Sequence, residues 1–163
     1  MTAVYLVRHA KALDRRTWAG PDELRPLSAA GFRQATALHE HLGGIEFERL
    51  VSSPLVRCVQ TLEPLAEATG TPLQLAEQLA EGASGARALD LLLALAGDGP
   101  LAACTHGDVL LDALAELRST LVPPEGPWEC KKGSTWVLEV DAGTFAGGRY
   151  VPPPAVEKER TGP

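Results

Sequence analysis

The sequence has few cysteines, and no two of them lie at short spacing. Its three cysteines, Cys58, Cys104 and Cys130, are far apart along the chain. An odd number at such spacings is neither a disulfide framework nor the paired Cys-x-x-Cys pattern of a structural zinc site. Disulfides are rare in reducing compartments, and this cysteine pattern suits a reducing compartment. We therefore expect a cytoplasmic protein.

An excess of positive charge and a long apolar run are also missing. The formal net charge of -6 argues against a general nucleic-acid or anionic-membrane binder, since both need a broad basic surface. The most apolar stretch, "LDLLLALAG" at residues 89–97, is much shorter than the ~20 residues that span a bilayer. No basic segment precedes a long apolar run near Met1, so we expect neither a signal peptide nor a membrane anchor.

Two chemical signatures are absent as well. The chain has no "GxxxxGK[ST]" phosphate-binding loop, and its aspartates form no cluster along the sequence. We therefore expect chemistry that needs no metal ion and no cofactor.

The elements that are present alternate between strands and helices. The 163 residues suit one domain, and short apolar runs are followed by amphipathic segments. We predict strands at 3–8, 47–53, 72–77, 100–105, 134–140 and 144–151, and helices at 29–42, 54–69, 85–97 and 106–118. This order predicts a three-layer α/β/α domain with a mostly parallel central sheet over residues 1–151, followed by a flexible proline-rich tail at 152–163.

Local signals set several helix ends. Ser28 is a predicted N-cap of the first helix. Ser53 is predicted to cap the second helix, with Pro54 at its first position, where a missing N–H costs nothing. Pro64 lies inside that helix and predicts either a kink or a break near Glu63.

Basic and imidazole side chains follow three of the predicted strands. Arg8 and His9 end the first strand, Arg57 lies in the first turn after the second, and His106 and Gly107 follow "PLAACT". Parallel sheets place their sites beyond the carboxyl ends of their strands, so we expect these residues to meet. Arginine forks and helix N-termini suit a tetrahedral anion such as a phosphoryl group. One neutral imidazole could attack phosphorus while the other groups stabilise the developing charge.

Four blocks carry a family resemblance: "LVRHAKA", "RPLSAAG", "LVSSPLVRCVQT" and "THGD". In this order they resemble the histidine phosphatase superfamily, which has a phosphoglycerate mutase-like fold, and they are most similar to its SixA-like phosphohistidine phosphatase branch. The resemblance extends from Val4 to about Val140. It implies that His9 is phosphorylated, that Arg8 and Arg57 grip the phosphoryl group, and that His106 completes the pocket.

The proton donor of larger relatives has no firm match. In those relatives a glutamate between the second and last blocks protonates the leaving group, and here that region reads "EQLAEGASG". Glu81 is the candidate, Glu77 is a weaker one, and Asp108 is a third, although a carboxylate at a helix start is also favoured by the helix dipole. The chain lacks the "GE…WN" continuation after the first block and most of the mutase lid, which argues against a sugar-acid phosphate mutase.

The sequence thus predicts a phosphatase that prefers a good leaving group. Phosphohistidine on a protein is the first substrate class, and a nucleotide or another small phosphate ester or polyphosphate is the alternative. A non-catalytic phosphate-binding module, with the same arginines but no turnover, is the alternative of another class. We expect a phosphorylated substrate as partner, with no nucleic acid and no membrane, and the oligomeric state stays open.

Two other groups of side chains have simpler interpretations. His39 and His41 are two positions apart in a predicted helix, so they do not face each other and indicate a solvated face rather than a metal site. Cys58 is expected to pack as a small apolar side chain.

Overall fold

The computed structural model describes residues 1–119 and 128–156. Its strands are β1 (Thr2–Arg8), β2 (Arg49–Ser52), β3 (Leu73–Leu75), β4 (Leu101–Thr105), β5 (Thr135–Asp141) and β6 (Thr144–Val151). Its helices are α1 (Ala29–Leu42), α2 (Val56–Thr69), α3 (Gly85–Leu95) and α4 (Gly107–Arg118). Within these ranges, no helix is both long enough and apolar enough to cross a membrane.

The six strands form one sheet in the order β3-β2-β4-β1-β5-β6. Neighbours among β1 to β4 are parallel, whereas β5 runs antiparallel to both β1 and β6. The predicted, mostly parallel sheet is therefore confirmed. β5 and β6 follow each other in the sequence and form an antiparallel hairpin, which needs only a short turn.

The side chains of β1 show why helices cover both faces of this sheet. Successive residues of a strand point to opposite faces. Val4 and Leu6 are buried in a cluster with residues of α3 and α4, while Val7 is buried among residues of α1 and α2. Burial of apolar surface on both sides holds the three layers together, and the predicted three-layer α/β/α class is confirmed.

The first helix has the predicted bounds. The hydroxyl oxygen of Ser28 accepts a hydrogen bond from the backbone N–H of Gly31 at 3.1 Å, so the predicted N-cap is confirmed. The backbone N–H of Ser28 in turn donates to the carbonyl of Lys11 at 2.9 Å. A Cβ atom on Gly31 would overlap that carbonyl oxygen, so only glycine allows this close approach.

The second helix differs from its prediction at two points. It begins at Val56 rather than Pro54, and Ser53 does not cap it. The Ser53 hydroxyl lies instead 2.8 Å from Nε2 of His106, a partner that no local signal reveals. The helix is also continuous through Pro64, so the alternative of a break near Glu63 is wrong. Burial of Leu62 and Leu65 on either side of the proline offsets the one lost helical hydrogen bond.

The loop between β1 and α1 is closed at its base. Ala12 and Leu27 form an isolated antiparallel bridge, and the N–H of Leu13 donates to the carbonyl of Pro26 at 2.9 Å. The two ends of the loop are therefore held together close to His9.

The predicted tail is only partly described. Residues 152–156 form no helix or strand, and residues 157–163 lie outside the described residues. The domain bounds of 1–151 and 152–163 remain a prediction.

Candidate active site

The carboxyl ends of β1, β2 and β4 meet at one edge of the sheet, as predicted. They bring His9 and His106 together, with a distance of 5.4 Å between the two ring centroids. A cavity of about 920 Å³ opens there. Of the predicted site residues, Arg8, His9, Glu81, His106, Gly107 and Asp108 line it.

The geometry of His9 fixes its tautomer. Its Nδ1 atom lies 2.7 Å from the carbonyl oxygen of Ala10, and since a carbonyl only accepts, Nδ1 carries the proton and Nε2 keeps its lone pair. The side chain is nearly buried. Burial, followed by the charges of His106, Arg57 and Arg8, lowers the pKa of His9 to about 3, although the hydrogen bond to Ala10 opposes this shift. The imidazole is therefore neutral at physiological pH.

One ring nitrogen of His106 has partners among the described residues, and the other has none. Its Nε2 atom contacts the Ser53 hydroxyl at 2.8 Å and the Cys58 sulfur at 3.4 Å. Its Nδ1 atom is buried and has no hydrogen-bond partner among the described residues. Cys58 packs in the apolar cluster beneath α1 and α2, as expected, and contacts this ring as well.

Arg8 lies against the N-terminus of α4. Its Nη1 atom donates to the carbonyl of Cys130, whereas its Nε atom is buried without a partner in the described part of the chain. A Cβ atom on Gly107 would come within 2.8 Å of the Arg8 guanidinium carbon. Glycine at position 107 thus leaves room for the guanidinium group beside the first residue of the helix.

Arg57 is fully buried and is held by two carboxylates. Its Nη1 atom donates to the carbonyl of Asp22 at 2.9 Å. Its Nη2 atom donates to the carboxylate of Asp22 at 3.2 Å and to that of Glu81 at 2.9 Å. Its Nε atom has no partner among the residues described. Arg57 does not itself line the cavity, but its positive charge acts on His9.

The three candidate proton donors occupy different positions. Glu81 lines the cavity, and its two oxygens accept from Arg57 at 2.9 Å and from Arg15 at 2.8 Å. Asp108 also lines the cavity, and its carboxylate accepts from the backbone N–H of Gly82 at 2.8 Å. Glu77 is exposed in a 3-10 turn and does not line the cavity, so the structure separates it from the site.

Sequence reasoning missed Asp22, one of the two residues that hold Arg57, and named the other, Glu81, only as a candidate proton donor. Asp22 accepts from Arg57 and from Nε of Arg25, the latter at 3.0 Å. Partial burial raises its pKa, but the hydrogen bond from Arg25 and the charges of Arg57, Arg25 and Arg15 outweigh it and lower the pKa of Asp22. The only local signal was the alternation of acidic and basic residues in the loop after β1. That pattern is typical of solvated loops and does not identify partners.

Comparisons with known proteins agree with this geometry. A family model described as histidine phosphatase superfamily (branch 1) matches residues 4–87. The 8-oxo-(d)GTP phosphatase of Mycolicibacterium smegmatis is 37% identical over 159 residues, covering 93% of this chain and 48% of the relative. The chain thus spans about half the length of that curated relative.

Solved structures show the same fold. The protein histidine phosphatase SixA complexed with tungstate has a TM-score of 0.73 and 25% identity, with 92% of this chain and 94% of that chain covered. YhfR of Bacillus stearothermophilus has a TM-score of 0.73 at 20% identity and covers 96% of both chains. The segment that matches the family model is just over half of the chain and contains Arg8, His9 and Arg57. The chain therefore belongs to the histidine phosphatase superfamily.

Proposed function

We propose that this phosphatase removes a phosphoryl group through a phosphohistidine intermediate on His9, without a metal ion. The observation that carries the proposal is the hydrogen bond from Nδ1 to the carbonyl of Ala10 at 2.7 Å, which leaves Nε2 as a free nucleophile. In the first step the Nε2–P bond forms and the bond to the leaving group breaks. In the second, water attacks phosphorus, the Nε2–P bond breaks, and the protons of the water leave with the phosphate.

Three unsatisfied nitrogen atoms support the position of the phosphoryl group. Nε of Arg8, Nε of Arg57 and Nδ1 of His106 are buried without a partner in the described residues. Native proteins seldom leave buried donors unpaired. The equatorial oxygens of a transferring phosphoryl group would supply acceptors for Arg8 and His106, which line the cavity, while Arg57 contributes its positive charge next to His9. The N-terminus of α4 adds a favourable dipole.

Glu81 is better suited to hold Arg57 than to donate a proton. Both of its oxygens accept hydrogen bonds from guanidinium groups, and a carboxylate engaged in this way has no proton to give. Without Glu81 as a general acid, a role that contributes roughly 10²–10⁴-fold for poor leaving groups, good leaving groups are favoured. Asp108 accepts one backbone N–H at Oδ2 and stays the alternative donor.

Two substrate classes have such leaving groups. A phosphohistidine protein is the first, and the likeness to the SixA structure supports it. A nucleoside polyphosphate is the second, because the M. smegmatis relative carries the name of an 8-oxo-(d)GTP phosphatase and the cavity wall is rich in lysine and arginine. Both classes use the same residues for phosphoryl transfer.

Trapping the intermediate tests the mechanism. During turnover of p-nitrophenyl phosphate in EDTA, an alkaline quench is expected to yield a phosphoryl adduct on the peptide that contains His9. Because the pKa of His9 is about 3, the rate of adduct formation per substrate dianion should change less than about three-fold between pH 7.5 and pH 5. A histidine of ordinary pKa loses about 30-fold of its neutral form over that range.

The contrary results are equally clear. An adduct on another side chain would contradict His9 as the nucleophile. Phosphate binding with neither adduct nor turnover would favour a non-catalytic binding module. A rate that falls about 30-fold at pH 5 while the protein stays folded would mean that His9 titrates normally.

Glu81→Gln separates positioning from proton donation. If Glu81 positions Arg57, the variant should lose about ten-fold in kcat/KM on both p-nitrophenyl phosphate and glycerol phosphate, since the leaving group does not matter. Glu77→Gln is the matched control, because Glu77 is exposed outside the cavity. Retained activity on the aryl ester together with lost activity on the alkyl ester would instead assign Glu81 as the acid.

A further inference from the structure

The cavity beside His9 is more basic than a single phosphoryl group requires. The chain has a formal net charge of -6, yet its cavity wall carries more cationic than anionic side chains. The cationic ones are Arg8, Lys11, Arg15, Arg16, Arg25 and Lys132, and the anionic ones are Asp14, Glu81 and Asp108.

The anionic side chains of the wall are already engaged. Asp14 accepts from the backbone N–H of Arg16 at 2.8 Å, Asp108 accepts from a backbone N–H, and Glu81 pairs with two arginines. In the ranges 1–119 and 128–156, the ammonium groups of Lys11 and Lys132 form no ion pair with a carboxylate. Their charges are therefore left for a ligand.

The two lysines come from distant parts of the chain but are joined through one side chain. The backbone N–H of Lys11 donates to Oε1 of Gln34 at 2.8 Å. Nε2 of the same amide donates to the carbonyl of Lys132 at 3.4 Å. The next residue, Gly133, has φ +81° and packs against Gln34, where a Cβ atom would lie 3.3 Å from Nε2. Gln34 therefore bridges the two backbone segments.

The same segments are tied to the nucleophile. The N–H of Gly133 donates to the carbonyl of Arg8 at 3.0 Å and also to the carbonyl of His9 at 3.2 Å. The lysines are thus carried by backbone that adjoins the Arg8–His9 pair. Burial, followed by the charges of Arg8, Arg25, Lys11 and Arg15, lowers the pKa of Lys132. An anion between these groups would relieve the repulsion.

We propose that Lys11 and Lys132, bridged by Gln34, form a second anion subsite that binds a distal phosphate of a phosphoanhydride chain whose terminal phosphoryl group reacts with His9. This inference rests on the proposed function and names a substrate class for it. Phosphohistidine supplies only one phosphoryl group and a neutral imidazole leaving group, so it leaves these two charges unmatched. A polyphosphate chain presents a further negative charge next to the reacting group.

The test compares substrates with and without a second phosphate. Inorganic tripolyphosphate and a nucleoside diphosphate both contain the chain, and p-nitrophenyl phosphate does not. For Lys11→Ala/Lys132→Ala, kcat/KM is expected to fall about 100-fold on both phosphoanhydrides, about ten-fold for each charged contact, and less than about three-fold on p-nitrophenyl phosphate. Gln34→Ala should also lower the ratio of kcat/KM on the phosphoanhydrides to kcat/KM on p-nitrophenyl phosphate, by a smaller factor.

Lys131→Ala is the matched control. Lys131 is exposed, pairs with Glu129 at 3.7 Å and does not line the cavity. The Lys131→Ala variant should leave the ratio of kcat/KM on the phosphoanhydrides to kcat/KM on p-nitrophenyl phosphate unchanged. Equal losses on all substrates, or no loss on phosphoanhydrides, would overturn the subsite. An equal loss of kcat/KM on a phosphohistidine peptide, when the two lysines are replaced, would also overturn the subsite.

A binding measurement keeps this test independent of catalysis. Tripolyphosphate binding to His9→Ala, followed by calorimetry, should weaken about 100-fold when both lysines are also replaced. If the wild type shows no turnover but this binding difference is present, the proposed function fails and the subsite stands. If turnover is present but the binding difference is absent, the subsite fails alone.

Discussion

His9→Ala is expected to lower kcat for p-nitrophenyl phosphate in EDTA by roughly 10⁴-fold or more. The substitution removes the atom that forms the covalent bond to phosphorus, and loss of a nucleophile has effects of this size or larger. Phosphate binding should survive, because Arg8, Arg57 and His106 remain. The measurement is the steady-state rate of nitrophenolate release, with circular dichroism to verify the fold.

His41→Ala provides the control for this substitution. His41 is an exposed histidine near the C-terminal end of α1 and does not line the active-site cavity. Its replacement should leave kcat within about two-fold of the wild type, as for surface substitutions generally. Residual activity of His9→Ala above about 1% of the wild-type rate would contradict covalent catalysis at this position.

Arg57→Met is expected to lower kcat/KM by roughly 10²–10³-fold, the usual cost of removing one preorganised group that stabilises developing charge, because its positive charge acts at His9. Arg57→Lys should recover only part of this loss, since an ammonium group cannot reproduce the planar fork that contacts both Asp22 and Glu81. Stability should fall less than the burial of Arg57 suggests. The side chains of Asp22 and Glu81 are 41% and 37% exposed, so both carboxylates regain water when the arginine is removed.

A double-mutant cycle links this prediction to the role of Glu81. If Glu81 acts through Arg57, then Glu81→Gln should cost little further activity in the Arg57→Met background. Fully additive losses would show that the two residues act independently. Arg87→Met is the matched arginine control, because Arg87 is exposed on α3 away from the cavity.

The features that local chemistry determines were predictable from the sequence. The apolar spacing of α1 and its Ser28 cap predicted the bounds of the helix correctly. The strand ends could be placed because strand–helix alternation implies a parallel sheet, and this placed Arg8, His9 and His106 at one edge. The four blocks then indicated the family.

The remaining features depend on contacts between distant residues. Ser53 has the local signature of an N-cap, but its hydroxyl bonds to His106, 53 residues further on. The Asp22–Arg57–Glu81 cluster joins a 3-10 turn, a helix and a loop, and composition gives no sign of such pairing. Gln34 is an ordinary helix residue in the sequence, and its bridge between Lys11 and Lys132 emerges only in three dimensions.

The closed base of the loop between β1 and α1 has a consequence for changes in loop length. Because the Ala12–Leu27 bridge and the Leu13–Pro26 hydrogen bond hold the base of the loop together, residues 17–20 could be lengthened or shortened without moving the nucleophile, whereas Arg15 has to stay because it pairs with Glu81. Asp22 lies beyond that stretch and would keep its hold on Arg57. The fold thus separates the backbone that fixes the nucleophile from a loop tip that tolerates changes in length.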